Sequence, residues 1–243
     1  MNTNKQKVAL VFGGSRGIGA AAAQRLARDG FAVTLTYVSR PDRAQAVVAG
    51  IEAAGGTATA IEADSADADA IAAAAQRTVD LYGPIDTVVV NAGILQIARV
   101  NDWSVADFDR ILGVNVRGVF LAIQAATARM RDGGRVITIG SNTAERPIVA
   151  GGGVYAMTKA AVAAMVRGAA LDLAPRRITV NNIQPGPTET DMTADMVEHL
   201  NDMSPMKRVG KPDEIAGLVS WLAGDESSYM TGASLTIDGG FIL

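Results

Sequence analysis

Seven short apolar runs alternate with helix-forming stretches along the whole chain, and no other feature narrows its fold as far. The runs are VALVF (8–12), FAVTLTY (31–37), TATAIEAD (57–64), IDTVVVNAG (85–93), RVITIGS (135–141), RITVNNIQPG (177–186) and SLTID (234–238). Between them, helices are predicted over Gly19–Asp29, from Pro41 to the Gly55–Gly56 stop, and over 67–82, 104–131, 154–174 and 211–224. VALVF is apolar at every position, as a strand buried on both faces requires. Strands separated by helices predict an α/β fold: a doubly wound parallel sheet flanked by helices on both faces. A chain of 243 residues fits one such domain, and no linker, charge block or short repeat divides it.

Composition removes several function classes. The net charge is −3, which offers no basic field for a nucleic acid polymer and no polybasic membrane anchor. There is no cysteine, so thiolate metal sites, disulfides and cysteine nucleophiles are excluded. His199 is the only histidine, which excludes a centre built on several imidazoles. The start, MNTNKQKVALVFGG, imitates a signal peptide only briefly, because Val8–Phe12 is too short for an apolar core and ends in glycines. No segment reads as a membrane span. The expectation is a soluble, cytoplasmic protein.

Two local features point to chemistry. The first strand runs into GGSRGIGA (13–20), with glycines at 13, 17 and 19. Such a turn lets a backbone approach a diphosphate at a helix N-terminus. Further on, Tyr155 and Lys159 stand one helical turn apart in GGGVYAMTKAAVAAM (151–165). Alone, that pair also suits an amphipathic helix edge with a snorkelling lysine. Carbonyl reduction offers a sharper reading. It needs a hydride, which side chains cannot supply, and a proton donor against the oxygen. A tyrosine, with an unperturbed pKa of about 10, would need a large downward shift to serve near neutral pH. The Lys159 ammonium would favour that shift.

From Val8 to Gly240 the chain resembles the short-chain dehydrogenase/reductase family, whose fold is a Rossmann-type sheet. The cofactor turn matches at Gly13, Gly17 and Gly19. The N-A-G motif matches Asn91, Ala92 and Gly93, and the helical asparagine matches Asn115. The serine matches Ser141, Y-x-x-x-K matches Tyr155 and Lys159, and PGPTET spans 185–190. Phe12 stands where the family usually has threonine, and Val90 where an asparagine is common.

The resemblance implies a catalytic set of Asn115, Ser141, Tyr155 and Lys159. Tyr155 would be the acid/base and Ser141 would polarise the substrate oxygen. Lys159 would also hold the nicotinamide ribose, and Asn115 would position a relay water. It further implies cofactor contacts at Ser15, Ile18, Pro185, Gly186, Thr188 and Thr190, and adenine contacts at Asp64 and Ser65. A homotetramer is implied, with interfaces on the helices at 104–131 and 154–174 and on the C-terminal segment.

NAD enzymes of this architecture often end the second strand with a carboxylate. Here that place is Tyr37, followed by Ser39 and Arg40, with Arg16 inside the glycine loop. Guanidinium groups suit a phosphate, so NADP(H) is predicted; two solvated surface arginines are the alternative. The expected activity is reversible NADPH-dependent reduction of a ketone or aldehyde.

The whole pattern also looks close to a branch that includes biofilm-dispersal mediators, which makes a cyclic-dinucleotide sensor the competing function. The substrate pocket is expected from 94–101, 142–153 and 187–210. The last segment, with its methionines and Pro205, reads as a lid or as an ordinary connection. Arg146 and Gln184 would approach substrate or serve structure. His199 reads as a surface or lid residue, and Trp103 and Trp221 as packing anchors.

Overall fold

The computed structural model describes residues 6–147 and 149–243. Met1–Lys5 of the leader-like start and Ile148 of the predicted pocket loop lie outside the described residues.

Seven strands form one parallel sheet. The chain enters through β1 (Val8–Phe12), α1 (Gly17–Arg28), β2 (Ala32–Tyr37), α2 (Pro41–Ala53), β3 (Thr57–Glu62), α3 (Ala68–Tyr82) and β4 (Ile85–Val90). It continues through α4 (Val105–Leu112), α5 (Val119–Thr127), β5 (Met130–Ile139), α6 (Gly153–Leu173), β6 (Thr179–Pro185), α7 (Val197–Met203), α8 (Pro212–Ala223) and β7 (Ser234–Ile237). The order across the sheet is β3-β2-β1-β4-β5-β6-β7. The winding direction reverses between β1 and β4, which register Ala9 opposite Thr87 and Phe12 opposite Val90. Open α/β sheets bind ligands at such a reversal, outside the carboxyl ends of the strands.

Side-chain alternation divides the core into two layers. Ala9 and Val11 of β1 face a cluster with Leu26 of α1, Val48 of α2 and Leu222 of α8. Leu10 and Phe12 face the other cluster, with Ile71 of α3, Ile123 of α5 and Val166 of α6. Both faces of β1 are therefore dry, which is why VALVF carries no polar residue.

Two predicted features are corrected. The helix expected over 104–131 is interrupted by a π turn at Gly113–Gly118, and its second part ends at Thr127. The stretch Gly153–Arg176 is long and apolar enough, with a mean hydropathy of 1.2, to match a membrane span by length and composition. Its Ala156, Val162, Val166 and Ala170 are buried within the fold, and packing against the sheet accounts for the apolar run.

Candidate active site

The glycine turn follows β1 at the reversal point. Gly13 takes a positive φ of 74°, which favours glycine. Its N–H donates to Thr36 Oγ1 of β2 at 3.0 Å, and its carbonyl accepts from Asn91 Nδ2 at 2.7 Å. The turn is thus braced from both neighbouring strands, although Phe12 has no hydroxyl to offer and is buried in the core. A Cβ on Gly19 would lie 2.1 Å from the Gly13 carbonyl oxygen, so a side chain there would break the contact between turn and helix. No side chain caps α1 and no acidic residue stands in its first turn. The leading N–H groups beside Ser15, Gly17 and Ile18 are left to an anion. This arrangement fits the diphosphate of a dinucleotide.

Asn91, Ala92 and Gly93 leave the end of β4, and Asn115 fixes the residue after them. Asn115 Oδ1 accepts from Ile94 N–H, and its Nδ2 donates to the Ile94 carbonyl, each at 2.9 Å. The second amide hydrogen goes to Thr158 Oγ1 at 3.2 Å. Thr158 in turn donates to the Tyr155 carbonyl at 2.7 Å. The π turn carries Asn115 into this buried position, and such turns recur at functional sites. Asn115 therefore braces the turn after β4 against α6. A water at its amide would be left the second lone pair of Oδ1.

The Lys159 ammonium is buried and donates to the Ile139 carbonyl at the end of β5, at 3.0 Å. It lies 5.6 Å from the centre of the Tyr155 ring, in cation–π range. A Cβ built on Gly93 would stand 3.5 Å from both Lys159 Nζ and Asn115 Oδ1, so the two groups share one space. Ser141 Oγ accepts from Thr143 Oγ1 at 2.9 Å and from Thr143 N–H at 3.2 Å. Both bonds use Ser141 as acceptor, which leaves its own hydrogen to donate.

The acid–base balance differs from the sequence expectation. Burial pushes the half-buried Tyr155 phenol up to about 12, against the Ser141 hydroxyl, which pulls the other way. Burial brings the Lys159 ammonium down to about 8. The predicted downward shift of Tyr155 by Lys159 is absent here, because desolvation disfavours the phenolate. Tyr155 is held as a proton-bearing acid.

The rim of the cleft is exposed and charged. Arg40 turns to its neighbour Asp42, at 3.1 Å from Nε and 2.8 Å from Nη2. Arg43, in the first turn of α2, shares the Asp191 carboxylate with Arg16, and Arg40 does not bond to it. Asp191 Oδ2 accepts from Arg16 Nη1 at 3.2 Å and also from Arg43 Nη1. Arg43, and then Arg16, hold the Asp191 carboxyl below its ordinary value. Tyr37 closes β2 half-buried, and Ser39 is exposed beside it. Asp64 lies exposed past β3 and accepts from Ala66 N–H at 2.9 Å, while Ser65 is buried.

Pro185 ends β6 and leads through Gly186 into the predicted lid. Thr188 Oγ1 donates to the Gly186 carbonyl at 3.0 Å, and Thr190 N–H donates to Thr193 Oγ1 at 3.1 Å. The base of the segment is closed: Glu189 N–H donates to the Gly210 carbonyl at 2.8 Å, and Gly210 N–H to the Pro187 carbonyl at 2.9 Å. Its tip carries α7, with His199 exposed.

Three other residues have structural partners. Gln184 is buried and pairs with Thr236 at 3.1 Å. Arg146 donates to the carbonyls of Ile242 and Leu243 at 3.4 and 3.3 Å. Trp103 Nε1 donates to the Ala98 carbonyl at 2.9 Å. Sequence reasoning missed Thr143, Thr158, Arg43 and Asp191. Thr158 was findable, since it adjoins Lys159 on a helix already marked for chemistry. Asp191 was not, because its partners lie 148 and 175 residues away.

Residues 13–242 match the family described as enoyl-(acyl carrier protein) reductase. The chain is similar to the cyclic-di-GMP-binding biofilm dispersal mediator protein of Escherichia coli, 41% identical over 238 residues, or 97% of each chain. Among solved structures it is similar to a short-chain dehydrogenase/reductase from Serratia marcescens, 50% identical over 98% of each chain with a TM-score of 0.95. It is also similar to a short chain dehydrogenase from Burkholderia cenocepacia in complex with NADP, 46% identical over 98% of each chain with a TM-score of 0.93. With a family match along nearly its whole length and this level of identity, the chain belongs to the short-chain dehydrogenase/reductase family.

Proposed function

We propose that this chain catalyses NADPH-dependent, reversible reduction of a ketone or aldehyde to an alcohol. The observation that carries the reading is the convergence of a protonated Tyr155, a Ser141 hydroxyl beside it that can donate, and the buried Lys159 ammonium at the carboxyl ends of the strands. When bound, the nicotinamide supplies the hydride. Ser141 donates a hydrogen bond to the substrate oxygen and polarises it. Tyr155 gives that oxygen its proton. Lys159 spends one hydrogen on Ile139 and offers the other two to the ribose hydroxyls and the proton relay. Asn115 keeps the turn after β4 in register with α6.

Arg16 and Arg43 support NADP(H) over NAD(H), since guanidinium pairs suit a phosphate dianion. The NADP in the Burkholderia cenocepacia structure is consistent with that choice. Exposed Phe120 on α5 and Met157 and Leu171 on α6 support assembly into a homotetramer. Light scattering checks this by mass.

A second reading follows the name of the Escherichia coli relative. The same arginines would take the phosphodiesters of a cyclic dinucleotide. A binding protein has no use for a lysine buried beside a tyrosine, and this favours the enzyme. The test is NADPH and NADH oxidation against a panel of ketones, aldehydes and β-keto esters, with Tyr155→Phe as control. NADPH-dependent turnover lost in the variant is expected. Tight cyclic di-GMP binding with no turnover across the panel would favour the second reading.

A further inference from the structure

The bridge between Asp191 and the two rim arginines joins three separate parts of the fold. Arg16 belongs to the turn after β1, Arg43 to the first turn of α2, and Asp191 to the segment after β6. One carboxylate oxygen is shared by two guanidinium groups, so one of the three charges stays uncompensated. Arg40 stands near enough to feel the same carboxylate. A phosphate dianion, with its extra charge and three acceptor oxygens, matches this donor set better than a single carboxylate does. Asp191 is therefore a weak anion seated where a stronger one fits.

We propose that Asp191 is an internal competitor for the 2′-phosphate subsite, so that a ligand carrying this phosphate releases the 187–210 segment from the rim. The inference rests on the NADP(H) reading above and adds to it the coupling between cofactor choice and the segment over the cleft. A ligand without the 2′-phosphate leaves the latch in place. Arg43 becomes a specificity-determining residue and Asp191 sets the affinity: the arginines accept phosphate only in the fraction of molecules in which the latch is open. The other attachments of the segment favour this division. Its base is held by backbone bonds between Pro187, Glu189 and Gly210, which a ligand at the rim does not touch. Near its tip, Asp191 is an exposed carboxylate whose ion pairs are weak and easily exchanged.

The test uses adenosine 2′,5′-bisphosphate, which carries the phosphate without the nicotinamide, and 5′-AMP as its partner lacking the 2′-phosphate. Affinities are measured by calorimetry for the full chain, for Asp191→Asn and for Asp195→Asn. The last removes a charge from the same segment at a residue outside the bridge. Hydrogen exchange of residues 188–196 is followed in parallel. Asp191→Asn is expected to tighten the bisphosphate about two- to fivefold, the exchange value of a surface ion pair, and to leave 5′-AMP unchanged. Asp195→Asn should change neither. The bisphosphate should speed exchange across 190–196 in the native chain, with Glu189 at the base unchanged, and Asp191→Asn should show that faster exchange before any ligand is added. If the bisphosphate binds tighter than 5′-AMP but exchange is unmoved or slowed, the latch is overturned and the NADP(H) reading stands. If the native chain binds the two ligands equally, both are overturned.

Discussion

The floor of the cleft and its rim are built on opposite principles. On the floor, Asn115, Thr158 and Lys159 are buried, and neutral amide, hydroxyl and backbone groups lock them in place. At the rim, Arg16 and Asp191 are exposed and Arg43 half-buried, and only ion-paired hydrogen bonds join them. A buried polar group without a partner costs a full desolvation penalty, whereas an exposed ion pair is worth little. The floor therefore resists change because each piece holds another. The rim tolerates change, and differences in ligand preference are easiest to accommodate there.

The largest test of this contrast is Tyr155→Phe. Removing the proton donor should lower turnover by about 10²–10⁴-fold while NADPH affinity stays within about twofold, because a positioned acid contributes on that scale. Stopped-flow turnover with parallel fluorescence titration checks it.

The next effect is on stability against pH. Lys159 holds fewer protons folded than unfolded between about 8 and its ordinary 10.5. Stability should rise with pH across that window, by on the order of 3 kcal/mol at its limit. Tyr155 acts oppositely: its folded value of about 12 exceeds the ordinary 10, so its contribution is full below 10 and is lost as pH climbs to 12. Urea unfolding of the native chain and Lys159→Met from pH 7 to 10 should show the rise only in the former.

Asn115→Ala comes third. It orphans the Ile94 N–H and carbonyl, and should cost about 1–3 kcal/mol of stability together with activity. A loss of activity with unchanged unfolding would place Asn115 outside the bracing network. At the rim the expectations are smaller and specific. Arg43→Ala should raise KM for NADPH about tenfold, with KM for NADH and the unfolding midpoint unchanged. Arg40→Ala should do less, since Arg40 is held by Asp42 through two hydrogen bonds where Arg43 makes one to Asp191. An Arg40 effect larger than that of Arg43 would reverse the assignment of the phosphate site.

What could be read from sequence follows the range of the interactions involved. Strand–helix alternation and the glycine turn are local patterns, and the sheet and its ligand edge follow from them. The spacing of Tyr155 and Lys159 is set by one helical turn, so that pair was visible too. The π turn was not. It exists because Asn115 reaches back to Ile94, and nothing in GVNVRG alone distinguishes it from ordinary helix. The direction of the Tyr155 shift was equally hidden. A nearby ammonium is visible in the sequence, but the burial that pushes the phenol up is a property of the fold. Arg40 was legible because it follows the strand end directly; Arg43 was not, since only the folded helix start shows which guanidinium shares a carboxylate with Arg16.

The backbone bonds between Pro187, Glu189 and Gly210 bring the two ends of the intervening segment side by side. Loop closure there depends only weakly on length, with each doubling costing about 0.6 kcal/mol. The segment is in effect a cassette. A stretch of another length or composition could be spliced between these anchors without shifting β6 or α8, so that one oxidoreductase frame can carry segments of very different size over its cleft.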